Sequence, residues 1–424
     1  MDNETIVIGL GPAGIGATLG LQNECLVLER SKEIGGGSAT IERDGATFDI
    51  GGHSFHTPHP EVRDLVFNSL EMFEQKREAR CFSGNDLINY PFQKNFRELS
   101  DQNVIEECVK GLDQVETGDF PDYNEFIHKK FGPGIAKHFM LPYNQKLWGR
   151  DLRRLTANWT GERVAAPEGV KEKFDTSGGK RKPLQADTNV AYPAKGGFGE
   201  IFKTLAKQVK NIEYDRTVGR IELKDKRLFT KDGKSYPYRR LVSSMPVNEL
   251  LALVDNCPAD VLTAASKLDY LSLKVVMVVI DHPIDTPVQR IYAADPNIAA
   301  HKTAMNHNSS DYLRKQPRHG IMAEVSYSPQ KPLKRADLEK WVVENLLQMK
   351  MIRSESEVLN AFSIDVKYAY PVPTHDRSEI VKNIKSFLEE NEIYSVGRFG
   401  EWAYINSDEV LARGLTLGKR LLHS

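Results

Sequence analysis

Three glycines near the start of the chain have the spacing that a bound pyrophosphate requires. Gly9, Gly11 and Gly14 follow the apolar run Thr5–Ile8 in the pattern Gly-x-Gly-x-x-Gly. Such glycines permit a tight turn from a buried strand into a helix, and they let the amides at the helix N-terminus approach a phosphate. A second apolar run ends at Glu29, about 20 residues after the first glycine, where a carboxylate accepts hydrogen bonds from an adenosine ribose. The pattern predicts a site for the ADP half of a dinucleotide, with an ordinary glycine turn as the alternative.

Two further glycine groups extend this region. Residues 35–37 are all glycine, and Gly51 and Gly52 stand directly before His53. Between the two groups, the dipeptide Asp44-Gly45 separates two alternating runs, which predicts a β-hairpin with a type I′ turn. The glycines leave room for a flat ring beside His53. A flexible loop at 35–37 and a surface histidine at 53 are the alternatives.

Composition restricts the classes of function. The chain has 424 residues, and 57 Lys and Arg balance 58 Asp and Glu, so it lacks the charge expected of a protein that binds nucleic acid or an anionic membrane. The four cysteines form no Cys-x-x-Cys pair, which favours buried thiols in a reducing compartment. The longest apolar run, residues 275–280, is far too short to span a bilayer, and the early start of the first strand leads us to expect no signal peptide. We expect a cytoplasmic protein.

Apolar periodicity predicts the elements that position these residues. A helix is expected at 60–73, a short strand at 86–89 and a helical block from about 99 to 156. Residues 168–189 are polar and long, which predicts a lid or a disordered segment. Later patterns predict strands at 275–280, 321–327 and 358–370 and helices at 339–349 and 407–422.

These motifs resemble the UDP-galactopyranose mutases, in particular the eukaryotic-type branch, from residue 5 to about 420. The glycine pattern and residues 49–53 are shared with the wider group of FAD amine-oxidase-like flavoproteins. More specific are Tyr-Pro-Phe-Gln-Lys-Asn at 90–95, Pro-Tyr-Asn at 142–144, Gly-Glu-Arg-Val-Ala-Ala-Pro at 161–167, Tyr-Pro-Ala-Lys-Gly-Gly at 192–197 and Gly-Arg-Phe-Gly at 397–400.

The resemblance implies an α/β protein: an FAD-binding Rossmann-like domain with an inserted helical domain and an antiparallel β-sheet domain. The implied ranges are 1–80, 193–245 and 385–424 for the FAD domain, 96–192 for the helical domain with its lid at 168–189, and 81–95 and 246–384 for the sheet domain.

The resemblance also implies a cofactor and a set of site residues. Family members use reduced FAD without net redox change, and flavin N5 attacks the anomeric carbon as the nucleotide leaves. NAD(P)H is a candidate reductant. The implied cofactor residues are Gly9, Gly11, Gly14, Glu29, Arg30, Gly36, Gly37, Gly52, His53, Val218, Arg398 and Asp408, of which His53 and Arg398 are also implied in catalysis. The implied substrate residues are Tyr90, Phe92, Gln93, Asn144, Trp148, Tyr292, Lys302, Tyr370 and Tyr404. For each aromatic residue, core packing is the alternative.

Some positions depart from the family pattern. The family holds the substrate diphosphate with two arginines, and the matching residues here are Ala191 and Lys302. An expected asparagine is Asp408. Lysine keeps the charge of arginine but not its two-pronged donor geometry. These departures predict weakened phosphate binding or an altered substrate.

Three functions are compatible with this sequence. A redox-neutral mutase acting on a UDP-galactose-like nucleotide sugar is favoured by the specific motifs. An FAD oxidase or dehydrogenase of the amine-oxidase type, acting on a non-nucleotide substrate, is favoured by Ala191 and Asp408. A flavin-binding protein without catalysis is the third. The sequence leaves the true substrate and the oligomeric state open.

Overall fold

The computed structural model describes residues 5–116, 118–160, 164, 167 and 189–424. Its strands are β1 Thr5–Ile8, β2 Leu26–Leu28, β3 Thr40–Arg43, β4 Ala46–Asp49, β5 Met72–Lys76, β6 Ala79–Ser83, β7 Asp86–Asn89, β8 Asn189–Pro193, β9 Ile212–Glu213, β10 Val218–Glu222, β11 Arg227–Thr230, β12 Ser235–Pro237, β13 Arg240–Ser243, β14 Tyr270–Ile280, β15 Arg290–Ala293, β16 Lys302–Met305, β17 His319–Tyr327, β18 Val358–Pro371 and β19 Ile393–Ser395. Its helices are α1 Pro12–Gly20, α2 Pro60–Ser69, α3 Phe92–Asn95, α4 Gln102–Leu112, α5 Tyr123–Ile135, α6 Leu141–Trp148, α7 Glu200–Ala206, α8 Val247–Leu251, α9 Ala259–Ser266, α10 Asp311–Arg314, α11 Leu338–Gln348, α12 Arg377–Glu390 and α13 Ser407–Leu422.

A five-stranded parallel sheet forms the first layer. Its strand order is β19-β13-β1-β2-β9, and the glycine-bearing strand β1 lies at its centre. All four residues of β1 are buried because helices α1, α7 and α13 cover one face and α8, α12 and the small sheet β10-β11-β12 cover the other. This is the doubly covered parallel arrangement that places a dinucleotide at the carboxyl end of β1, so the Rossmann-like prediction is confirmed.

A seven-stranded sheet forms the second layer, in the order β18-β14-β17-β16-β15-β6-β7. Its pairs are antiparallel except that of β15 with β6. Helix α11 packs on one face, and the β3-β4 hairpin packs against part of the other. The hairpin turns at Asp44 and Gly45 with φ of 52° and 80°, as a type I′ turn requires.

Helices α3 to α6 form a block whose own core packs against the edge of this second sheet.

Two predictions from the sequence have a different outcome in the structure. The helix expected at 60–73 ends at Ser69, because Met72 and Phe73 instead pair with Pro193 and Tyr192 of β8. The predicted lid at 168–189, apart from its last residue, lies outside the described residues, as does most of the motif at 161–167. The residue ranges of the three domains stay a prediction.

Helices α1 and α13 touch backbone to backbone. Each carries a Gly-x-x-x-Gly pair, Gly16 with Gly20 and Gly414 with Gly418. A Cβ atom at Gly16 would lie 2.4 Å from the carbonyl oxygen of Leu411, so only glycine allows this approach. This pattern, which was not among the sequence predictions, joins the C-terminal helix to the glycine-rich N-terminus.

Among the helices in the described part of the chain, none has the length and apolar character needed to cross a bilayer.

Candidate functional site

The glycine loop has the geometry that its spacing predicts. Gly9 has φ of 95°, and a Cβ atom at Gly14 would lie 1.8 Å from the Gly9 carbonyl oxygen, so both positions require glycine. At Gly11 the nearest atom to such a Cβ is 3.9 Å away, which is ordinary contact distance. Helix α1 begins directly after Gly11, and no described side chain caps its first amides. Its N-terminus therefore faces a space that an anion fits.

A second glycine loop lies opposite the first. A Cβ atom at Gly36 would meet only the Cα atom of Gly11, at 3.8 Å, and one at Gly37 would meet no described atom within 4 Å. At the end of this groove, the buried carboxylate of Glu29 accepts hydrogen bonds from the amides of Leu10 at 2.6 Å and Ser31 at 3.0 Å. Two adjacent glycine loops beside a buried acid suit the diphosphate and ribose of FAD.

Two other predicted cofactor residues lie near Glu29. Arg30 follows it in sequence and is exposed. Val218 is buried at the start of β10, two residues after Arg216, whose amide donates to the Glu29 carbonyl oxygen at 2.9 Å. The structure thus brings the segment before β10 to the end of β2, where the adenosine end of the cofactor is expected.

His53 lies between the two main sheets. Its ring stacks on Phe198 with centroids 4.8 Å apart, and its Nε2 atom lies 3.0 Å from the Ile50 carbonyl oxygen. Since a carbonyl only accepts, Nε2 carries the proton and Nδ1 is left as an acceptor. Burial and the nearby charge of Lys302 lower the pKa of His53 to about 4, so the ring is neutral at neutral pH. The His53 residue is partly exposed, and these two contacts fix its orientation.

Three side chains form a row across the second sheet. Tyr292 of β15 pairs directly with Lys302 of β16, which pairs directly with Glu324 of β17. Directly paired residues project from the same face of a sheet. The Lys302 ammonium lies 2.8 Å from Glu324 Oε1, and the Tyr370 hydroxyl on β18 donates to Glu324 Oε2 at 2.8 Å. The amide of Gly52 donates to Oε1 at 2.7 Å, so the row lies directly beneath the loop that carries His53.

Glu324 is the central residue of this row, and the sequence analysis missed it. Burial alone would raise the pKa of its carboxyl, but Lys302, His301 and the Gly52 amide bring the pKa down to about 2. It is therefore a buried carboxylate at neutral pH, only 1% exposed. His301 is neutral, because burial lowers its pKa to about 3 although Glu324 opposes this. The available signal was an acid inside β17, of which all residues but the last are buried.

The predicted substrate aromatics form one continuous cluster on this row. Tyr90 packs on Tyr292 with centroids 4.9 Å apart, Tyr370 on Tyr404 at 5.4 Å, and Tyr404 on Trp148 at 5.8 Å. The indole Nε1 atom of Trp148 is buried and has no hydrogen-bond partner among the described residues. Three further rings complete the cluster. Tyr143 packs on Tyr292, His301 links Tyr143 to Tyr370, and Trp159 packs on Tyr404.

Other predicted substrate residues have structural partners. Phe92 is fully buried and stacks on Phe139 in the core of the helical block. Asn144 is also buried, accepting from the Tyr123 hydroxyl at 2.9 Å and donating to the Met140 carbonyl oxygen at 2.7 Å. Gln93 is buried beside Phe92. Phe92 thus packs in the core of the helical block, which was the alternative interpretation of the aromatic residues.

Ala191 lies in the core beneath the first sheet. It is 4% exposed and exchanges backbone hydrogen bonds of 2.8 Å with Phe55. Its side chain contacts other buried apolar groups and supplies no charge. That this position alters the diphosphate site stays a prediction.

The C-terminal segment closes the cofactor groove. Gly397 has φ of 97°, and a Cβ atom there would lie 3.0 Å from that of Ala13 in α1. Arg398 donates from Nε to the Ile405 carbonyl oxygen at 2.9 Å and from Nη1 to that of Ala369 at 3.2 Å. Asp408 is buried in the first turn of α13, and burial raises the pKa of its carboxyl.

The fold combines glycine loops on a parallel sheet that is covered on both faces with a second, largely antiparallel sheet. This combination is typical of a dinucleotide-binding flavoprotein. The chain belongs to the flavin containing amine oxidoreductase family, whose model matches residues 17–371. Membership in this family and the shape of the groove together support FAD as the cofactor.

Solved structures share this fold at low sequence identity. Reduced UDP-galactopyranose mutase superposes with a TM-score of 0.89 at 22% identity, over 99% of this chain and 96% of that one. A CLA-producing fatty acid isomerase from P. acnes gives 0.69 at 14%, over 99% and 98%. Putrescine oxidase bound to putrescine gives 0.68 at 13%, over 100% and 98%. Since isomerases and an oxidase share the fold, the fold alone does not choose the reaction.

Proposed function

We propose that this protein is an FAD-dependent mutase that interconverts the pyranose and furanose forms of a UDP-galactose-like nucleotide sugar. The observation that carries the proposal is the row of Tyr292, Lys302 and Glu324, with Tyr370 beside it, beneath the loop of His53. When bound, the reduced flavin supplies the nucleophile of such a reaction and returns unchanged.

Lys302 has the role of holding the charge of the leaving nucleotide. Glu324 orients the Lys302 ammonium, and one of the three donors of that ammonium is used in the 2.8 Å contact. The side chain of Lys302 is only partly exposed, so its electrostatic attraction for a phosphate is screened less than at a free surface. Neutral His53 presents an acceptor to the flavin instead of a competing positive charge.

The aromatic cluster has the role of binding the nucleotide and the sugar. The pair of Tyr90 and Tyr292 offers ring surface to a uracil base, and Tyr404, which packs on Trp148, offers ring surface to the sugar. Contacts of this kind orient a ring substrate without charge, while Lys302 in the row and Arg290 and Arg398 beside it provide positive groups.

One observation favours a second candidate, an FAD oxidoreductase of the amine-oxidase type acting on a non-nucleotide substrate. The positive charge of Lys302 is already balanced by the buried Glu324 carboxylate, which weakens the attraction for a diphosphate. Family membership is compatible with this chemistry as well.

The test uses the flavin-loaded protein under anaerobic conditions. Dithionite-reduced protein is incubated with UDP-galactofuranose, and the ring isomers are separated by chromatography, with oxidised protein as the control. We expect conversion only after reduction, with the flavin absorbance remaining that of the reduced form throughout turnover. Substrate-dependent bleaching of the oxidised flavin by an amine, without any isomerisation, would reject the mutase in favour of the oxidoreductase.

We further expect Lys302→Met to raise KM for the nucleotide sugar about ten- to a hundredfold, since a charge-assisted hydrogen bond contributes about 1.5–3 kcal/mol. An unchanged KM would show that Lys302 does not contact the nucleotide.

A further inference from the structure

A buried arginine supports the loop that carries His53. Arg290 of β15 is 4% exposed, and its Nη2 atom donates to the His53 carbonyl oxygen at 2.5 Å. A Cβ atom at Gly52 would lie 2.8 Å from Arg290 Nε, so the loop backbone rests directly on the guanidinium. The missing side chain at Gly52 therefore leaves room for Arg290, which was not among the sequence predictions.

Arg290 has no direct counter-ion. Its Nη1 atom donates to the Gln289 carbonyl oxygen at 2.8 Å, and no carboxylate in the described part of the chain forms an ion pair with it. The two buried acids that act on it have other partners. Glu324 pairs with Lys302 at 2.8 Å, and Asp49 accepts three hydrogen bonds from other groups. Because arginine stays protonated in proteins, Arg290 is a buried positive charge that no contact balances directly.

This charge lies beneath a segment where the flavin is expected. The loop contains the predicted cofactor residues Gly52 and His53, and the His53 ring is neutral at neutral pH. Oxidised flavin is neutral, whereas reduced flavin carries a negative charge once its N1 atom has lost a proton. A positive charge in a buried site therefore favours the reduced anion over the oxidised form.

We propose that Arg290 is a positioning residue for the His53 loop and that its charge stabilises the anionic reduced form of bound FAD. In the corresponding reduction, the oxidised flavin takes up two electrons from the reductant and one proton from water. The inference depends on bound FAD but not on the identity of the substrate. It names the residue that favours the flavin form which the proposed mutase requires.

The other groups that act on Arg290 leave the direction of this effect unchanged. They are Asp49 of β4, Tyr192 of β8, Tyr292 of β15 and Glu324 of β17. Glu324 is ionised, since its pKa is about 2. Burial raises the pKa of Asp49, and a neutral Asp49 would leave Arg290 with even less compensation.

The experiment measures the midpoint potential of the flavin-loaded protein by dithionite titration against reference dyes, from about pH 7 to about pH 8.5. For a two-electron couple a tenfold change is about 30 mV, so uptake of one proton gives a fall of about 30 mV per pH unit. We expect this slope in the wild type. Its measurement needs no variant, so it tests the proposal even if a substitution at Arg290 prevents folding.

The variants separate charge from loop position. Arg290→Met should lose roughly tenfold of the preference for the reduced form, which lowers the potential by about 30 mV, whereas Arg290→Lys should stay close to the wild type. Arg240→Met is the matched control. Arg240 is also buried and donates to two backbone carbonyl oxygens, but it pairs with Thr5 at the opposite end of the parallel sheet from the glycine loop. Flavin absorbance and thermal unfolding confirm that each variant is folded.

A wild-type slope of about 60 mV per pH unit, which requires two protons, would overturn the proposal. An unchanged or higher potential in Arg290→Met would also overturn it, as would an equal loss in Arg290→Lys or in Arg240→Met. A lower potential confined to Arg290→Met supports it. That result in a protein that isomerises no nucleotide sugar would uphold the role of Arg290 and reject the mutase, so the two failures are distinguishable.

Discussion

Replacing Glu324 with glutamine keeps the shape of the side chain and removes one buried negative charge. The carboxylate is 1% exposed and accepts from the Gly52 amide, the Tyr370 hydroxyl and the Lys302 ammonium at 2.7–2.8 Å. A neutral amide has a single acceptor oxygen, so it cannot accept all three bonds. Lys302 is then left partly buried without its counter-ion.

The expected cost at neutral pH is about 3–5 kcal/mol of unfolding free energy, the range for removing one partner of a buried ion pair. A second variant isolates the cause. Lys302→Met combined with Glu324→Gln removes both charges, so most of the lost stability should return. The assay is urea unfolding of the flavin-loaded protein, with the single variant Lys302→Met completing the cycle.

The same carboxyl predicts a pH dependence. Its pKa in the folded protein is about 2, below the ordinary value of 4.5, so folding favours its ionised form. The resulting stability, on the order of 3 kcal/mol, is fully present above pH 4.5 and is lost as the pH falls towards 2. The stability difference between the wild type and Glu324→Gln should therefore shrink over this range.

Two results would refute this reasoning. One is a loss below about 1 kcal/mol in Glu324→Gln, which is the size of an ordinary surface substitution. The other is a double variant no more stable than Glu324→Gln, which would show that Lys302 and Glu324 are not coupled.

The glycine contacts give two further predictions. Gly14→Ala should abolish FAD binding, because the new Cβ atom would lie 1.8 Å from the Gly9 carbonyl oxygen. Gly37→Ala should retain FAD, because no described atom lies within 4 Å of its Cβ position. The flavin absorbance of the purified protein measures both outcomes. Gly418→Ala should lower the melting temperature, because the new Cβ atom would lie 2.2 Å from the Ala17 carbonyl oxygen. This clash should outweigh the helix preference of alanine over glycine, which is about 1 kcal/mol. An unchanged or raised melting temperature would show that α1 and α13 can separate at no cost.

Local patterns in the sequence were sufficient for much of the fold. The buried run of β1, the hairpin at Asp44 and Gly45 and the bounds of α13 were all predicted. Each depends on backbone preferences or periodicity within a few consecutive residues. The resemblance to a known family then correctly implied the combination of the two sheets and the flavin-binding class.

The tertiary structure determined the features that depend on contacts between residues far apart in the sequence. Met72 and Phe73 fit a helical pattern as well as a strand, and only pairing with β8 makes them a strand. Ala191 matched a ligand-binding position by sequence, but β8 places it in the core.

Glu324 shows the physical reason most clearly. Its partners come from the loop after β4, from β16 and from β18, and Gly52 is 272 residues away in sequence. The charge and the partners of a buried side chain depend on which strands fold next to it. That environment cannot be predicted from the residues next to Glu324 in the sequence. The role of Glu324 at the site was therefore visible only in the assembled sheet.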